Sequence, residues 1–458
     1  MTSGYAAAAP GFETGSEEDV VARLERLPLG WWQVRTRLIL GTATFFDAVD
    51  VLAISFALPV LAVLWKLTPA ESGTVLSAVF VGQIIGAFAA GWAAERFGRL
   101  ATATVTVLIF ALMSLACALA WDLRSLVAFR FVQGIGLGGE VPIATAYIAE
   151  LARADSRGRF YILYELVFTI GLVAAALFGV LLVPDLGWQS LFYVGALPAI
   201  LALFLRRLLP ESPRWLASKG RRTEADAAVR EIEADFQRRG VALPPPGPVR
   251  RAPAFAGNRW LAMLGPRYIR RTLAMWAMWF CCFSTTYGLL TWMPTLYRVV
   301  FNLPLRQSLL YGFITQACGF LGSLACAFLI DVVGRRAWFT GAFLLGGLLL
   351  GFIGFQTPAS PAQLLAFISA GAAILGSVSI GLNLYTAELY PTPFRAFASS
   401  VGGAWQRVAA AVGPLVVAAL LPGGIGRVFL YFSAMALIGA LVTLLFAIET
   451  KQRQLEDI

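Results

Sequence analysis

Six ionisable side chains stand inside long apolar stretches of this sequence. They are Asp47, Asp50, Arg130, Glu140, Glu165 and Arg407. A charge in the middle of a lipid bilayer costs roughly 2.5–3.5 kcal/mol on insertion scales, so such residues are expected to bind an ion, a ligand or each other. Carboxylates can carry protons, and a guanidinium presents a planar fork that fits a carboxylate. The set therefore predicts proton transfer beside a site for a small organic molecule.

The two aspartates are the first candidates for proton transfer. Asp47 and Asp50 are three residues apart and share a helix face. Counting about 1.5 Å per residue in a core of about 30 Å places Asp50 and Arg130 at a similar depth. We expect Asp50 to carry the proton, Arg130 to regulate it, and Asp47 to be a second acid or a substrate contact. A permanent ion pair that fixes helix packing is the alternative.

The two glutamates leave more than one interpretation open. Glu140 could be a second proton site, or it could close an intracellular network with arginines of the loops. Glu165 could line the cavity, or it could serve packing. The sequence contains no histidine, so any proton relay must use carboxylates.

Arg407 has no compensating acid in its own apolar stretch. A substrate carboxylate would neutralise it, and pairing with Glu165 or Asp47 is the rival interpretation. Trp405 and Gln406 flank Arg407, and Asn383 lies in the preceding apolar stretch. We therefore assign these side chains to the substrate site as well.

Composition identifies the elements that must position these residues. Hydrophobic residues make up 59% of the chain and charged residues 14%, against about 45–50% and about 25% in soluble domains. Gly- and Ala-rich runs of this length are typical of packed membrane helices rather than of barrel strands. The twelve predicted spans are 38–64, 70–94, 101–121, 124–150, 160–183, 189–209, 270–297, 306–330, 337–356, 363–387, 397–421 and 427–448.

The charge distribution predicts the orientation in the membrane. With both termini inside, 29 of the 36 Lys and Arg residues fall on the cytoplasmic side, as the positive-inside rule requires. This asymmetry accounts for the net charge of +10 without nucleic acid. We expect a multi-pass inner-membrane protein with a cytoplasmic tail at 1–37, bundles at 38–209 and 270–448, a cytoplasmic linker with short helices at 210–269, and a tail at 449–458.

The two predicted bundles are repeats of one another. The segment Glu95-Arg96-Phe97-Gly98-Arg99 recurs as Asp331-Val332-Val333-Gly334-Arg335, and Ala149-Glu150-Leu151 recurs as Ala387-Glu388-Leu389. The offsets are 236 and 238 residues, so both copies run in the same direction. Parallel six-helix repeats are typical of transporters with two bundles around a central cavity.

Enzyme chemistry has no comparable support in the sequence. The run Gly134-Ile135-Gly136-Leu137-Gly138-Gly139 fits a dinucleotide fingerprint, but that fingerprint needs a strand before it and a helix after it. The run lies inside an apolar stretch, so we expect close helix packing instead. No P-loop, metal-ligand cluster or His-based triad is present, and we predict no enzyme activity, no metal and no cofactor beyond a coupling proton.

The repeated loop resembles the gating motif of the major facilitator superfamily, Gly-x-x-x-Asp-Arg-x-Gly-Arg-Arg. The resemblance implies a fold of twelve helices in two parallel-repeat bundles that alternate access. It also implies that acids and arginines of the motif pair across the bundle interface in one state and separate in the other. The matching residues are Gly91, Glu95, Arg96, Gly98 and Arg99 in the first copy and Asp331, Gly334, Arg335 and Arg336 in the second.

Further motifs resemble the sugar-porter branch and, within it, the proton symporters for aromatic acids and nicotinate-like metabolites. The branch motifs are Arg130-x-x-x-Gly134-x-Gly136, Pro210-Glu211-Ser212-Pro213-Arg214-Trp215-Leu216 and Ala387-Glu388-Leu389-Tyr390-Pro391; the symporter motifs are Asp47-Ala48-Val49-Asp50, Gly138-Gly139-Glu140 and Arg407. The resemblance implies a monomeric proton symporter of a small organic acid. A sugar or polyol carrier on the same fold, or a nutrient receptor that does not transport, remains the alternative.

Overall fold

The computed structural model describes residues 13–28, 30–151, 157–247, 258–356 and 360–451, except for the side chains of 157–165, 392–394 and 396. Within these residues the regular structure is helical, as predicted. The α-helices are α1 (Glu17–Glu25), α2 (Trp31–Leu64), α3 (Pro69–Phe97), α4 (Arg99–Ala118), α5 (Leu123–Leu151), α6 (Arg157–Leu186), α7 (Gln189–Gly195), α8 (Pro198–Leu208), α9 (Pro213–Ser218), α10 (Arg222–Arg238), α11 (Arg259–Leu264), α12 (Ile269–Val299), α13 (Leu305–Val333), α14 (Arg335–Phe355), α15 (Pro361–Leu389), α16 (Thr392–Leu420) and α17 (Ile425–Phe446).

Twelve helical stretches of the described chain are long and apolar enough to cross a bilayer, which confirms the predicted fold class. The sixth stretch combines α7 and α8, which meet just before Pro198. We call the membrane side where α2 begins at Trp31 the tail side, and the side where α2 ends at Leu64 the far side. The first six spans form one half of the molecule and α12 to α17 form the other.

Close helix packing explains the Gly-rich run at 134–139. A Cβ built on Gly134 would lie 3.0 Å from Cα of Gly82 in α3, and one on Gly138 would lie 2.6 Å from Cα of Gln83. The backbones of α3 and α5 therefore touch, which only residues without a side chain permit. The run lies in the middle of α5, as predicted, and not between a strand and a helix.

Several contacts join the two halves from mid-membrane to the far side. The rings of Phe80 in α3 and Tyr287 in α12 meet edge to face at 5.3 Å. Near the far side, Arg306 at the start of α13 pairs with Asp185 at the end of α6, with Nη2 and Oδ1 2.6 Å apart. The halves are thus in contact on the far side in this structure.

A second buried core lies on the tail side, where α1, α9 and α10 meet the ends of the first spans. Leu24 of α1 packs with Val229, Ile232 and Phe236 of α10, and each of these side chains is at most 2% exposed. The predicted linker 210–269 contains the short helices α9, α10 and α11. Of these, α9 and α10 pack against α1 and against the first half.

Arg23 joins the tail to the linker at the centre of this second core. Its side chain is fully buried, and its guanidinium donates to Glu233 at 3.0 and 2.6 Å and to Asp226 at 2.7 Å. Burial opposes the charge, but the hydrogen bonds to Glu233 and Asp226 outweigh it and raise the pKa of the Arg23 guanidinium. The helix α1, which precedes α2, is therefore part of the folded protein.

We expect Arg23→Gln to release α1 from α10. The variant removes the buried cation that links α1 to Glu233 and Asp226, and breaking a buried ion pair from one side costs at most about 3–5 kcal/mol. The two carboxylates keep Arg26 and Arg230 as partners, so the loss falls on the contact between α1 and α10. Hydrogen exchange of the α1 amides in purified protein measures the opening. Arg238→Gln is the control because the Arg238 side chain is 73% exposed. Unchanged α1 protection in Arg23→Gln would contradict this role.

Candidate functional site

Asp50 is enclosed in the first half of the molecule. Its side chain is fully buried, and its Oδ1 accepts a hydrogen bond of 2.7 Å from the Ser114 hydroxyl of α4. The Ser114 oxygen also lies 2.9 Å from the Phe192 carbonyl oxygen of α7. A Cβ built on Gly195 would collide with Asp50 and Ser114, so this glycine lets α7 approach the carboxylate.

Arg130 lies beside Asp50 but does not form an ion pair with its carboxylate. Nη1 donates to the backbone oxygen of Asp50 at 3.0 Å and to Oε1 of Gln133 at 2.7 Å. Nε and Nη2 are buried without a hydrogen-bond partner in the described chain. The predicted depth match of Asp50 and Arg130 is therefore correct, but the contact runs through the backbone carbonyl. Gln133 and Ser114, which the sequence did not assign to this site, complete it.

Asp47 faces a different group of residues from Asp50. It is 2% exposed, and it interacts electrostatically with Glu140, Arg407 and Asp50. Glu140 is also buried and accepts a 3.0 Å hydrogen bond from the Thr44 hydroxyl, one turn before Asp47. The two aspartates are only three residues apart, but they have different polar neighbours. Asp47 and Glu140 belong to a midplane cluster with Arg407, while Asp50 belongs to the interior of the first half.

Arg407 spans the boundary between the halves. Its Nη1 donates to the Gly403 carbonyl in its own helix at 3.3 Å, and Nη2 donates to the Gly138 carbonyl of α5 at 3.5 Å. Among the side chains that the structure describes, no carboxylate lies within ion-pair distance of Arg407, although Asp47 is near enough to interact with it. Long hydrogen bonds to carbonyls leave the guanidinium able to accept a better partner.

Aromatic side chains of α12, which were not among the predicted site residues, lie next to Arg407. Trp279 and Phe283 stack with ring centroids 5.2 Å apart, and Phe283 and Tyr287 are 5.8 Å apart. Tyr287 interacts electrostatically with Arg407. The spacing of these three rings, one per helical turn, was a visible signal in the sequence. Together with Phe80 they form an aromatic wall at the junction of the halves.

The remaining predicted substrate residues are less closely grouped. Trp405 packs on Trp276 and Phe280 with centroid distances of 5.6 and 6.3 Å. Residues two apart do not share a helix face, so Trp405 and Arg407 meet different neighbours. Gln406 and Asn383 are partly buried in α16 and α15. The side chain of Glu165 lies outside those that the structure describes.

The first copy of the loop motif ends α3 and begins α4. Gly98 adopts a φ of +111°, and the Glu211 carboxylate accepts a 2.9 Å hydrogen bond from the backbone N–H of Leu100. Arg99 Nε donates to Oε1 of Glu150 at 3.0 Å. Glu211 therefore caps the N-terminus of α4, where a negative charge is favoured.

The other members of the first copy face outward. Glu95 is exposed, and its backbone oxygen accepts a 2.9 Å hydrogen bond from the Trp215 indole. Arg96 lies over the rings of Trp92 and Phe97 at 5.6 and 5.9 Å. A Cβ built on Gly91 would meet nothing within 4 Å.

The second copy repeats this arrangement at α14. Gly334 has a φ of +99°, and the Glu449 carboxylate accepts 3.0 Å hydrogen bonds from the backbone N–H groups of Arg335 and Arg336. Arg335 Nη2 donates to Oε1 of Glu388 at 2.8 Å. Partial burial opposes ionisation of Glu449, but these backbone hydrogen bonds outweigh it and lower the pKa of its carboxyl.

The repeat between the two halves also includes residues that follow the loop motif and the Ala-Glu-Leu segments. Glu449 follows Glu211 by 238 residues, the same offset as Glu388 from Glu150. The hydrogen-bonded pairs Tyr147–Pro210 and Ser212–Glu150 in the first half correspond to Tyr385–Ile448 and Thr450–Glu388 in the second. The signal was present in the sequence as Ile448-Glu449-Thr450 against Pro210-Glu211-Ser212, but a two-residue match is too short to stand out.

The ion pairs of the motif lie within each half in this structure. Arg99 pairs with Glu150, and Arg335 pairs with Glu388 and with Asp331, whose Oδ1 is 2.7 Å from Nη1. In this state the three pairs join the tail-side ends of neighbouring helices. The exchange of partners between two states stays a prediction.

We expect Gly98→Ala to lower the maximal transport rate with little change in substrate affinity. A φ of +111° is strained for any residue with a side chain, and the new Cβ would lie 2.5 Å from the Glu211 carboxylate that caps α4. Initial rates over a range of substrate concentrations separate the two effects. Gly91→Ala is the matched control in the same motif. A loss of affinity at a normal maximal rate would disprove the assignment.

Comparison with known proteins agrees with this architecture. The family model "Sugar (and other) transporter" matches residues 53–458. The chain is similar to the niacin transporter NiaP of Acinetobacter baylyi, with 33% identity over 96% of this chain and 99% of the relative. It is 31% identical to the 4-hydroxybenzoate transporter PcaK of the same organism, over 89% of each chain. It is 29% identical to a gallate transporter of Pseudomonas putida, over 90% of this chain and 91% of the relative.

Solved structures resemble the fold. A crystal structure of a D-xylose-proton symporter superimposes with a TM-score of 0.68 and 20% identity, covering 92% of this chain and 99% of the other. A partially occluded, inward-open form of the xylose transporter XylE from E. coli gives a TM-score of 0.69, covering 90% and 98%. With the family match over most of the chain, the protein belongs to the sugar (and other) transporter family of the major facilitator superfamily, and it is a multi-pass membrane transporter rather than an enzyme.

Proposed function

We propose that this transporter carries a small aromatic monocarboxylate together with a proton, by alternating access of its two halves. The observation that carries the proposal is Arg407, a guanidinium at the boundary of the halves whose described hydrogen bonds go only to the carbonyls of Gly403 and Gly138. A carboxylate accepts both prongs of such a fork and would displace these long bonds.

The aromatic wall supports an aromatic substrate over a sugar. Trp279, Phe283 and Tyr287 occupy the α12 positions near Arg407, and a ring stacked on such faces gains about 0.5–1.5 kcal/mol beyond its buried area. A sugar would need amide and hydroxyl partners for its many hydroxyl groups. Niacin, 4-hydroxybenzoate and gallate, which the names of the relatives specify, each carry a carboxyl group on an aromatic ring.

The charge balance of the midplane supports coupling to a proton. Asp47 and Glu140 lie near Arg407, so two carboxylates already face one cation there. A third carboxylate, brought by the substrate, would raise the excess of negative charge from one to two in a medium of low dielectric constant. Uptake of a proton by the cluster, or by Asp50 behind it, returns the charge to its value before the substrate binds. Substrate and proton then bind together and cross together.

We place the protein in the inner membrane as a monomer with both termini in the cytoplasm. The arginine-rich tail side supports this orientation, because cytoplasmic loops carry the excess of Lys and Arg. The tail side would then be the cytoplasmic side, and the Arg306–Asp185 contact would lie outside. Lys66 lies in the first far-side loop. Thiol labelling of Lys66→Cys in intact cells tests the orientation, and we expect a reagent that does not cross the membrane to label it.

Uptake of radiolabelled nicotinate and 4-hydroxybenzoate into proteoliposomes tests the function. We expect accumulation with an inward proton gradient, collapse of accumulation with a protonophore, and competition by benzoate but not by glucose or xylose. Competition by the sugars instead would favour a sugar carrier. Saturable binding without accumulation under any gradient would favour a receptor.

A further inference from the structure

Three arginines lie at the adjoining tail-side ends of α2 and α8. They are Arg35 on α2 and Arg206 and Arg207 on α8. Arg35 Nη2 donates to the backbone oxygen of Leu208, the last residue of α8, at 3.1 Å, which places the two helix ends side by side. We call this set the α2–α8 corner.

The two segments that contain the α2–α8 corner carry only positive charge. The chain has no Asp or Glu from 27 to 46, nor from 186 to 210. Within the described part of the chain, neither Arg206 nor Arg207 forms an ion pair, and both are exposed. In the linker, by contrast, the exposed Arg221 and Arg239 each pair with a carboxylate.

The α2–α8 corner lies at the tail-side end of two exposed apolar helix faces, one on α8 and one on α2. On α8 the apolar residues Ile200, Leu203 and Phe204 are 59, 70 and 46% exposed. They lie on one face of the helix, and Arg207 is at the tail-side end of that face. Because α7 and α8 together span 20 residues, or about 30 Å, Arg206 and Arg207 lie at the depth where hydrocarbon gives way to headgroups.

The neighbouring face of α2 is similar. Trp31, Val34 and Leu38 are 49, 37 and 59% exposed along one stripe. Tryptophan at the end of a span is typical of the membrane interface. Arg207 also lies over the Phe204 ring at 5.9 Å, so its guanidinium is held close to the apolar face.

We propose that the α2–α8 corner binds the headgroup phosphate of an anionic phospholipid, whose acyl chains lie along the exposed faces of α2 and α8. Guanidinium forks bind phosphate oxygens in pairs, and basic pockets between spans recognise anionic lipid headgroups. The proposal concerns the outside of the helix bundle and is independent of the substrate site.

Native mass spectrometry of delipidated protein, titrated with phosphatidylglycerol, tests the proposal. We expect Arg206→Gln with Arg207→Gln to weaken binding about ten- to thirtyfold, and the Lys/Lys double variant to retain most of it. The control is Lys219→Gln with Arg238→Gln, which removes two exposed charges from the linker helices on the same side. Its affinity should stay within about twofold of the native value.

Three outcomes would overturn the proposal. The first is equal binding of phosphatidylglycerol by the Gln/Gln variant and the native protein. The second is equally tight binding of zwitterionic phosphatidylcholine by the native protein, since the corner offers only positive charge. The third is displacement of the lipid by millimolar inorganic phosphate or glycerol phosphate, which would identify a site for soluble anions instead.

Discussion

Arg407→Gln is expected to weaken binding of an aromatic carboxylate about ten- to a hundredfold. Loss of a charge-assisted hydrogen bond in a low-dielectric site costs roughly 1.5–3 kcal/mol. The affinity of Arg407→Lys should lie between those of the native protein and Arg407→Gln, because an ammonium keeps the charge but loses the planar fork. Equilibrium binding of labelled substrate to purified protein measures each affinity. Arg395→Gln is the control on the same helix, since Arg395 donates to the Tyr390 carbonyl at the tail-side end.

An analogue in which an amide replaces the substrate carboxylate shows whether Arg407 recognises the carboxylate or only stabilises the structure. The native protein should bind the amide about as weakly as Arg407→Gln binds the acid. The variant should bind acid and amide nearly alike, because the two changes remove the same interaction and are not additive. If the native protein binds acid and amide equally, Arg407 serves packing of the halves and the organic-acid proposal loses its main physical support.

Asp50→Asn is expected to abolish accumulation driven by a proton gradient while leaving exchange of substrate across the membrane. Asn has the shape of Asp and can still accept the hydrogen bond from Ser114, but it cannot carry a proton. Accumulation ratios and counterflow in proteoliposomes distinguish the two activities. Asp122→Asn is the control, because Asp122 lies at the exposed start of α5 and caps the Ser125 N–H at 2.8 Å, a role that Asn fills well.

Ser114 explains how the protonation state of Asp50 could reach the rest of the bundle. Its single hydroxyl hydrogen has two acceptors in reach, the Asp50 carboxylate at 2.7 Å and the Phe192 carbonyl at 2.9 Å. An ionised Asp50 takes that hydrogen as the stronger acceptor. A protonated Asp50 can donate to Ser114 instead, which frees the hydroxyl for the α7 carbonyl. Full accumulation by Asp50→Asn would exclude both residues from coupling.

The sequence alone determined the membrane spans and their number. Apolar runs of about 20 residues can only be matched by lipid, because no soluble surface would cover them, and each such run must satisfy its own backbone as a helix. The repeat offsets of 236 and 238 residues identified two parallel halves. The midplane charges were also evident without a structure, because each one interrupts an otherwise apolar run.

Only the tertiary structure decided which of these charges meet. Helix rotation and crossing angle, which local periodicity does not encode, turned Asp47 toward Glu140 and Arg407, and Asp50 toward Ser114. They also brought the Arg130 guanidinium to a backbone carbonyl rather than to a carboxylate. Contacts such as Arg23 with Glu233, 210 residues apart, depend on how the linker folds back on the tail. Contacts between residues so distant in sequence depend on the packing of whole helices. Residue type and spacing therefore identified the charged site residues but could not predict which of them are in contact.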